Sequence, residues 1–134
     1  MLNILVVDDS LIIRKNLKKY IKNLGHTVIG ESKTGSMAVD DCRTLKPDLI
    51  TMDITMPDMD GIKAVELIRK FDEEVKILMV TSHGQEEMVV SALKAGAKGY
   101  ILKPINEDKL AQGIATIFEK YNTQLDEDDD FFEE

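Results

Sequence analysis

Five short apolar runs alternate along the chain with longer stretches in which apolar and polar residues are mixed. The runs are rich in Ile, Val and Leu and hardly alternate in polarity, which is typical of strands that are covered on both faces. They begin about 24 residues apart, which is the length of a strand, a helix and two loops. The pattern predicts five strands, at residues 4–7, 27–29, 49–52, 75–80 and 99–102.

The stretches between these runs show helical periodicity, because their apolar residues recur every three or four positions and so share one face of a helix. Ser10 is suited to cap the first predicted helix and Gly25 to end it, and Asn106 is suited to cap the fifth. The five apolar stripes are Ile13, Leu17, Tyr20, Ile21 and Leu24; Met37, Ala38, Cys42 and Leu45; Ile62, Val65, Ile68 and Phe71; Met88, Val89, Ala92, Leu93 and Gly96; and Leu110, Ile114, Ile117, Phe118 and Tyr121.

The alternation of strands and helices predicts an α/β fold. Right-handed crossovers place the helices on both faces of a parallel sheet, so three layers are expected. A chain of 134 residues fits a single core, and we expect one domain over residues 1–122. Residues 123–134 lose the periodicity and become acidic, which predicts a disordered tail. A docking peptide built on Phe131 and Phe132 is the alternative interpretation of that tail.

The net charge of −8 is concentrated at the end of the chain, where residues 126–134 hold seven of the 25 acidic residues. The remaining 18 acidic residues face 17 basic ones, so the rest of the chain is nearly neutral. The net negative charge argues against binding to nucleic acid or to an anionic membrane surface. A single cysteine, Cys42, excludes an intrachain disulfide and a zinc cluster. The first residues do not resemble a signal peptide, and no apolar run reaches about 18 residues, so we expect a cytoplasmic protein.

Candidate functional residues stand at the carboxyl ends of the predicted strands, where ligands bind in open parallel sheets. Asp8 and Asp9 follow the first strand, Asp53 follows the third, Thr81 ends the fourth and Lys103 follows the fifth. Three close carboxylates repel one another, and a site of oxygen ligands alone suits Mg²⁺. Together with a lysine ammonium, Mg²⁺ would offset the charge of a phosphoryl group, to which a hydroxyl would donate a hydrogen bond. An aspartate in such a site is a candidate nucleophile.

Four motifs make the chain resemble a known family, the receiver domain of bacterial two-component response regulators. They are VVDDS at 6–10, MDITMPDMDG at 52–61, VTSHG at 80–84 and KP at 103–104. The resemblance covers residues 1 to about 121, and it is strongest to the stand-alone chemotaxis regulators of that family. It implies a flavodoxin-like (βα)5 three-layer sandwich with a parallel five-stranded sheet in the order 2-1-3-4-5. It also implies a cis bond between Lys103 and Pro104 and a third helix that opens at Gly61.

The resemblance assigns the central roles of the site. Asp53 would accept a phosphoryl group from the phosphohistidine of a sensor histidine kinase, and Lys103 would pair with that group. Asp8, Asp9 and Asp53 would hold Mg²⁺ together with the backbone carbonyl of Thr55.

The resemblance also implies a switch and two residues that tune it. Thr81 would move toward the phosphoryl group, and Tyr100 would change from exposed to buried in the space that Thr81 vacates. The side chains of Thr55 and His83 would flank the phosphoryl group and adjust its lifetime.

Protein partners are expected to carry the output, because no output domain follows in this sequence. Phosphorylation would shift a pre-existing equilibrium at the face made by the fourth helix, fifth strand and fifth helix. In chemotaxis the partner would be the flagellar motor switch protein, with a chemotaxis-type kinase upstream and a phosphatase as a further partner. We expect a monomer.

Three alternatives are considered. A phosphorelay intermediate or another stand-alone regulator would have the same core site. An Asp-nucleophile phosphatase would need an Asp-x-Asp pair after the first strand and usually a cap domain, whereas Asp8 and Asp9 are adjacent. A flavodoxin-like FMN carrier would need a phosphate loop rich in Ser, Thr and Gly, where two aspartates would repel phosphate.

Overall fold

The structure is a computed structural model that describes residues 1–82 and 84–131, and within the last helix it describes side chains through residue 119. Strands and helices alternate strictly along the described residues. The strands are β1 (Asn3–Val7), β2 (Thr27–Ser32), β3 (Leu49–Met52), β4 (Lys76–Thr81) and β5 (Gly99–Leu102). The helices are α1 (Leu11–Asn23), α2 (Gly35–Leu45), α3 (Gly61–Arg69), α4 (Glu86–Ala95) and α5 (Glu107–Phe131).

All the strand pairs in the described residues are parallel, and the sheet has the order β2-β1-β3-β4-β5. The predicted α/β fold, its three layers and its strand order are therefore confirmed. The largest difference from the predicted strands is in β2, which continues three residues beyond Ile29 to Ser32.

Two hydrophobic cores fill the spaces on the two sides of the sheet. Successive side chains of a strand point to opposite faces, so each central strand contributes to both cores. In β1, Leu5 and Val7 face α2, α3 and α4, whereas Ile4 and Val6 face α1 and α5. Burial of each large aliphatic side chain contributes about 1.5–3 kcal/mol. The packed strands therefore form a rigid platform whose carboxyl ends are fixed relative to one another.

The predicted apolar stripes of α2, α3 and α4 are only partly buried. Small residues such as Ala38 and Ala92 make the closest approach to the sheet, and both are almost fully buried. Larger members of the stripes lie at the edges of the contact: Met37 is 39% exposed and Leu93 is 42% exposed. Phe71 lies beyond the end of α3, where the Arg43 guanidinium stacks 4.6 Å from its ring centroid. These stripes were predicted too wide, because a helix seated on small residues buries only its central row.

The ends of the helices agree with the local signals in the sequence. Ser10 Oγ accepts a hydrogen bond from the N–H of Ile13, and Asn106 Oδ1 accepts one from the N–H of Lys109. Gly25, just after α1, has a φ of 87°, a left-handed conformation that glycine adopts without a steric penalty. The bond between Lys103 and Pro104 is cis, as the resemblance implied.

The predicted disorder of residues 123–134 stays a prediction. The bounds of α5 extend past residue 122, where the sequence places the end of the domain. Residues 132–134 and the side chains from residue 120 onward lie outside the described part, and with them the proposed docking role of Phe131 and Phe132. Within the residues that are described, none of the helices combines the length and the apolar character that crossing a lipid bilayer requires.

Candidate functional site

The register of the sheet brings the first two predicted site residues side by side. β1 and β3 are neighbours, and Val7 pairs with Met52 at their carboxyl ends. The next residue of each strand is an aspartate, so Asp8 and Asp53 emerge together. The N–H of Asp53 continues the ladder by donating to the carbonyl of Val7 at 3.1 Å. The positions of both aspartates therefore follow from the strand pairing.

Asp8, Asp9 and Asp53 form an acidic cluster, in which one carboxylate oxygen of each lies within 4.8 Å of the others. Asp8 is fully buried and Asp53 is 5% exposed, whereas Asp9 is exposed. Burial, and next the neighbouring charge of Asp8, raise the pKa of Asp53 above its ordinary value. The donors are all hard carboxylate oxygens, with no imidazole or thiolate among them, which fits a hard divalent cation such as Mg²⁺.

Lys103 brings a positive charge into the acidic cluster. It follows β5 at the edge of the sheet and reaches across β4, so that its Nζ lies 2.8 Å from Asp8 Oδ2 and 3.4 Å from Asp53 Oδ2. Burial alone would lower the pKa of Lys103, but its hydrogen bond to Asp8 and the charges of Asp53 and Asp8 raise it. Lys103 therefore stays charged and offsets part of the negative charge of the cluster.

The loop after Asp53 returns tightly onto the backbone of that residue. Gly61 opens α3, and its N–H donates to the carbonyl of Ile54 at 2.7 Å. A Cβ added at position 61 would overlap the carbonyl oxygen of Asp53. Asp60 caps α3, with Oδ1 accepting the N–H of Lys63 at 2.8 Å. The glycine that ends the MPDMDG segment is thus required by the close approach of α3 to Asp53.

The other predicted residues lie around this centre. Thr81 ends β4 and is fully buried, and its backbone carbonyl accepts a hydrogen bond from the N–H of Lys103 at 2.8 Å. Thr55 is exposed in the loop after β3, and Tyr100 is 47% exposed on β5. His83 lies outside the described residues. Thr81 thus ends the strand next to β3, and Thr55 follows Asp53 by two residues. The roles assigned to these residues stay predictions.

Sequence reasoning missed one residue of the site, Arg14 of α1. Its Nη1 donates a hydrogen bond to the backbone carbonyl of Asp8 at 2.9 Å. Arg14 is three residues before Leu17 and seven before Ile21, and these three are the buried residues of α1. This spacing was the available signal, because a basic residue on the apolar face of a helix needs a buried partner.

Comparison with known proteins agrees with this geometry. Residues 4–115 match the family model described as the response regulator receiver domain. The chain is 43% identical to the chemotaxis protein CheY of Thermotoga maritima over 111 residues, which is 83% of this chain and 92% of that protein. It is 41% identical to the chemotaxis protein CheY of Bacillus subtilis over the same shares of the two chains. It also resembles a chain in the crystal structure of the CheX–CheY–BeF3–Mg²⁺ complex from Borrelia burgdorferi, with a TM-score of 0.84, 35% identity and coverage of 87% of this chain and 88% of that one.

Proposed function

The chain belongs to the response regulator receiver family, and we propose that it is a switch that accepts a phosphoryl group on Asp53 from a sensor histidine kinase. One observation carries the proposal: the Lys103 ammonium lies between two buried carboxylates of the acidic cluster, within 2.8 Å of Asp8 and 3.4 Å of Asp53. A cation and a metal site that flank the same carboxylate suit a nucleophile whose product gains negative charge.

Mg²⁺ is the cation that we propose for the acidic cluster. Asp8, Asp9 and Asp53 would hold it together with the backbone carbonyl of Thr55. When bound, Mg²⁺ offsets negative charge on the phosphoryl oxygens, which is what phosphoryl transfer requires. The presence of Mg²⁺ in the Borrelia complex of CheX and CheY supports this assignment.

The transfer itself would be a displacement at phosphorus. A carboxylate oxygen of Asp53 would form the new P–O bond while the P–N bond of the kinase phosphohistidine breaks, and the electron pair of that bond would leave with the imidazole nitrogen. The product is an acyl phosphate on Asp53. Lys103 would offset the added charge, and the hydroxyl of Thr81 would donate a hydrogen bond to a phosphoryl oxygen.

The route from the site to the surface would run through the pairing of β4 with β5. Met79 pairs with Tyr100, and Thr81 pairs with Leu102. Residues two apart in a strand share a face, so Thr81 and Tyr100 lie diagonally on the same side of the sheet. A movement of Thr81 toward the phosphoryl group would therefore open space on the side where Tyr100 turns inward. Thr55 and His83 are the residues that we propose to tune the lifetime of the phosphoryl group.

The surface around Tyr100 is the proposed output face. Tyr100 is 47% exposed, and Leu93, Leu102 and Val90 nearby in α4 and β5 are about two-fifths exposed. Exposed apolar side chains of this kind suit a protein partner. Because both relatives named above are chemotaxis proteins, we propose a chemotaxis-type kinase upstream and the flagellar motor switch protein as the partner of this face. The complex of CheX with CheY from Borrelia burgdorferi supports protein partners in general, and we propose a phosphatase as one of them.

A phosphorelay intermediate, or another stand-alone receiver, is the second candidate within the family. Its site chemistry would be the same, so only its partners distinguish it. The phosphorylated chain should retain the motor switch protein in a pull-down, whereas a relay intermediate would retain a histidine phosphotransferase. The proposed kinase and motor switch act from the cytoplasm, so we place the protein there, as a monomer.

Phosphorylation by acetyl phosphate tests the proposal without a cognate kinase. Intact-mass measurement should show one phosphoryl group on the parent with Mg²⁺ and none with EDTA. Asp53→Asn should remain unlabelled, whereas Asp58→Asn, a charge removal in the same loop outside the acidic cluster, should be labelled like the parent. Equal labelling of Asp53→Asn and the parent would show that the acceptor is wrongly assigned. Turnover of a generic phosphate ester would favour the Asp-nucleophile phosphatase instead.

A further inference from the structure

Arg14 is buried in α1 although an arginine side chain is rarely buried unless it is paired. It is 9% exposed and shares the buried face of α1 with Leu17 and Ile21. Its guanidinium has two partners: Nη1 donates to the backbone carbonyl of Asp8 at 2.9 Å, and Nε donates to Glu31 Oε1 at 3.1 Å. The first of these bonds connects Arg14 to the acidic cluster.

The carbonyl that Arg14 holds lies just beyond the end of β1, after the last residue that pairs in the sheet. A peptide unit is planar, so this carbonyl shares a plane with the Cα atoms of Asp8 and Asp9. Fixing the oxygen therefore fixes the backbone of two of the three residues of the acidic cluster. The preceding peptide is fixed separately, because the N–H of Asp8 donates to the carbonyl of Ser32 at 3.0 Å.

Arg14 and Lys103 bind different atoms of the acidic cluster. Lys103 binds carboxylate oxygens of Asp8 and Asp53, which are the atoms that a cation would also need. The hydrogen bonds of Arg14 in the described structure go to the Asp8 carbonyl and to Glu31, and so leave the carboxylates of the acidic cluster available. Arg14 is thus placed to orient the cluster without competing for it.

Glu31 holds the guanidinium in place and is shared with a second lysine. Lys18 Nζ lies 2.8 Å from Glu31 Oε2, about one turn further along α1 than Arg14. The hydrogen bond from Lys18 lowers the pKa of Glu31 against the opposing effect of burial, and the bond from Arg14 adds to the lowering. Lys18 pairs with the same carboxylate but has no hydrogen bond to Asp8 among the described residues, so the chain supplies its own matched control.

We infer that Arg14 is a positioning residue of the metal site: it orients the peptide between Asp8 and Asp9 and thereby sets the affinity for the divalent cation. The inference rests on the proposed function. Removal of a group that orients metal ligands typically costs 10–100-fold in metal affinity, so Arg14→Met should weaken Mg²⁺ binding by about tenfold. Lys18→Met should leave the affinity within about twofold of the parent, because exposed ion pairs contribute little.

Calorimetric titration of the full chain with Mg²⁺ alone gives the affinities directly. The Mg²⁺ concentration for half-maximal labelling by acetyl phosphate supplies a second measurement. For Arg14→Met this concentration should rise with the loss of affinity, while the labelling rate at saturating Mg²⁺ recovers toward that of the parent. If Arg14 had only a structural role, Arg14→Met would lower the melting temperature, but the Mg²⁺ concentration for half-maximal labelling would not rise while the rate at saturating Mg²⁺ recovered. Arg14→Lys, which offers one donor group for two partners, should lie between Arg14→Met and the parent.

Glu31→Gln keeps the inference testable if Arg14→Met does not fold. This variant retains the donor to the Asp8 carbonyl and an acceptor for Nε, so its Mg²⁺ affinity should stay close to that of the parent. A loss of Mg²⁺ affinity of about tenfold in Glu31→Gln would overturn the inference, because the charge network and not the carbonyl bond would then set the affinity.

The remaining outcomes separate the inference from the proposed function. If the parent binds Mg²⁺ but is never labelled on Asp53, the proposed function fails and the positioning role is still decided by the affinities. If Arg14→Met binds Mg²⁺ as tightly as the parent, the positioning role is wrong and the proposed function is untouched. A parent that binds no Mg²⁺ would overturn both.

Discussion

Replacing Asp53 with asparagine should stabilise the protein when no divalent cation is present, although it removes the proposed phosphoryl acceptor. Asp53 is 5% exposed as a residue and lies beside the fully buried Asp8. Burial and this neighbour raise the pKa of Asp53, so the charged form is disfavoured in the folded state. An uncharged side chain of nearly the same shape relieves that cost.

The size of the effect follows from the distances in the acidic cluster. At an effective dielectric constant of about 20, the repulsion between Asp53 and Asp8, whose carboxylate oxygens lie within 4.8 Å of each other, is at least about 3.5 kcal/mol. The attraction between Asp53 and Lys103 across 3.4 Å is about 4.9 kcal/mol on the same scale. Asp9 is exposed and adds a smaller, screened repulsion, so the charge interactions nearly cancel. The desolvation of the charged carboxylate remains, which costs several kcal/mol for a buried ion, and we expect removal of that charge to recover about 2 kcal/mol of it. Lys103 keeps Asp8 as its partner in the variant.

Urea unfolding followed by circular dichroism measures this gain. In EDTA, Asp53→Asn should be more stable than the parent by about 2 kcal/mol, or roughly 8 °C in melting temperature. Mg²⁺ at ten times its dissociation constant should stabilise the parent by about 1.4 kcal/mol and the variant by less, which narrows the difference. Asp58→Asn is the control, because Asp58 is exposed in the same loop and its φ of 66° is one that asparagine tolerates.

The pH dependence gives this prediction a second test. Because the folded pKa of Asp53 lies above the ordinary value of 3.8, the folded state binds its proton more tightly than the unfolded state does. The stability of the metal-free parent should therefore rise, relative to Asp53→Asn, as the pH falls through the raised pKa toward 3.8. The reasoning is refuted if the variant in EDTA is no more stable than the parent, or if Asp58→Asn shows the same gain.

Two further substitutions test how closely the site and the core are packed. Gly61→Ala should destabilise the protein by about 1–3 kcal/mol and slow labelling, because its Cβ would overlap the carbonyl of Asp53. Gly113→Ala in α5 should be near neutral, since its contact at 3.0 Å is with the side chain of Ile101 and alanine favours the helix by about 1 kcal/mol; equal losses would contradict the close approach at Gly61. Thr51→Val should stabilise by about 1 kcal/mol in thermal unfolding, because Thr51 Oγ1 is buried without a hydrogen-bond partner among the described residues; a loss of stability would show that the hydroxyl is satisfied.

The alternation of strands and helices could be predicted from the sequence because the central strands of the sheet are covered on both faces. Every residue of β3 is buried, and its four apolar or β-branched residues stand out from the polar loops around them. β2 was predicted too short for the opposite reason. It lies at the edge of the sheet, so Gly30 and Glu31 remain in the ladder while their side chains give no apolar signal. Backbone pairing, which extends to Ser32, decides where that strand ends.

The acidic cluster and Lys103 could be predicted because each directly follows a strand, and parallel strands end at the same side of a sheet. Arg14 could not be predicted in the same way. It lies in a helix with Lys15, Lys18, Lys19 and Lys22, among which its charge is not distinctive. Its role depends on a carbonyl six residues earlier in the chain, and that contact exists only once α1 has packed against β1 and β2.

The charges of the site also connect it to the edge of the sheet. Lys103 directly follows β5, and Tyr100 lies in that strand, three residues before Lys103. In the described structure Lys103 divides its ammonium between Asp8 and Asp53, at 2.8 Å and 3.4 Å. A phosphoryl group on Asp53 would add negative charge at Asp53 and not at Asp8. Lys103 would then be drawn toward Asp53 and away from Asp8. Because the N–H of Lys103 is hydrogen-bonded to the carbonyl of Thr81, this change would act on the ends of β4 and β5 together. The ion pairs of Lys103 with Asp8 and Asp53, which hold the acidic cluster together without a phosphoryl group, would thus transmit the arrival of that group to the face that carries Tyr100.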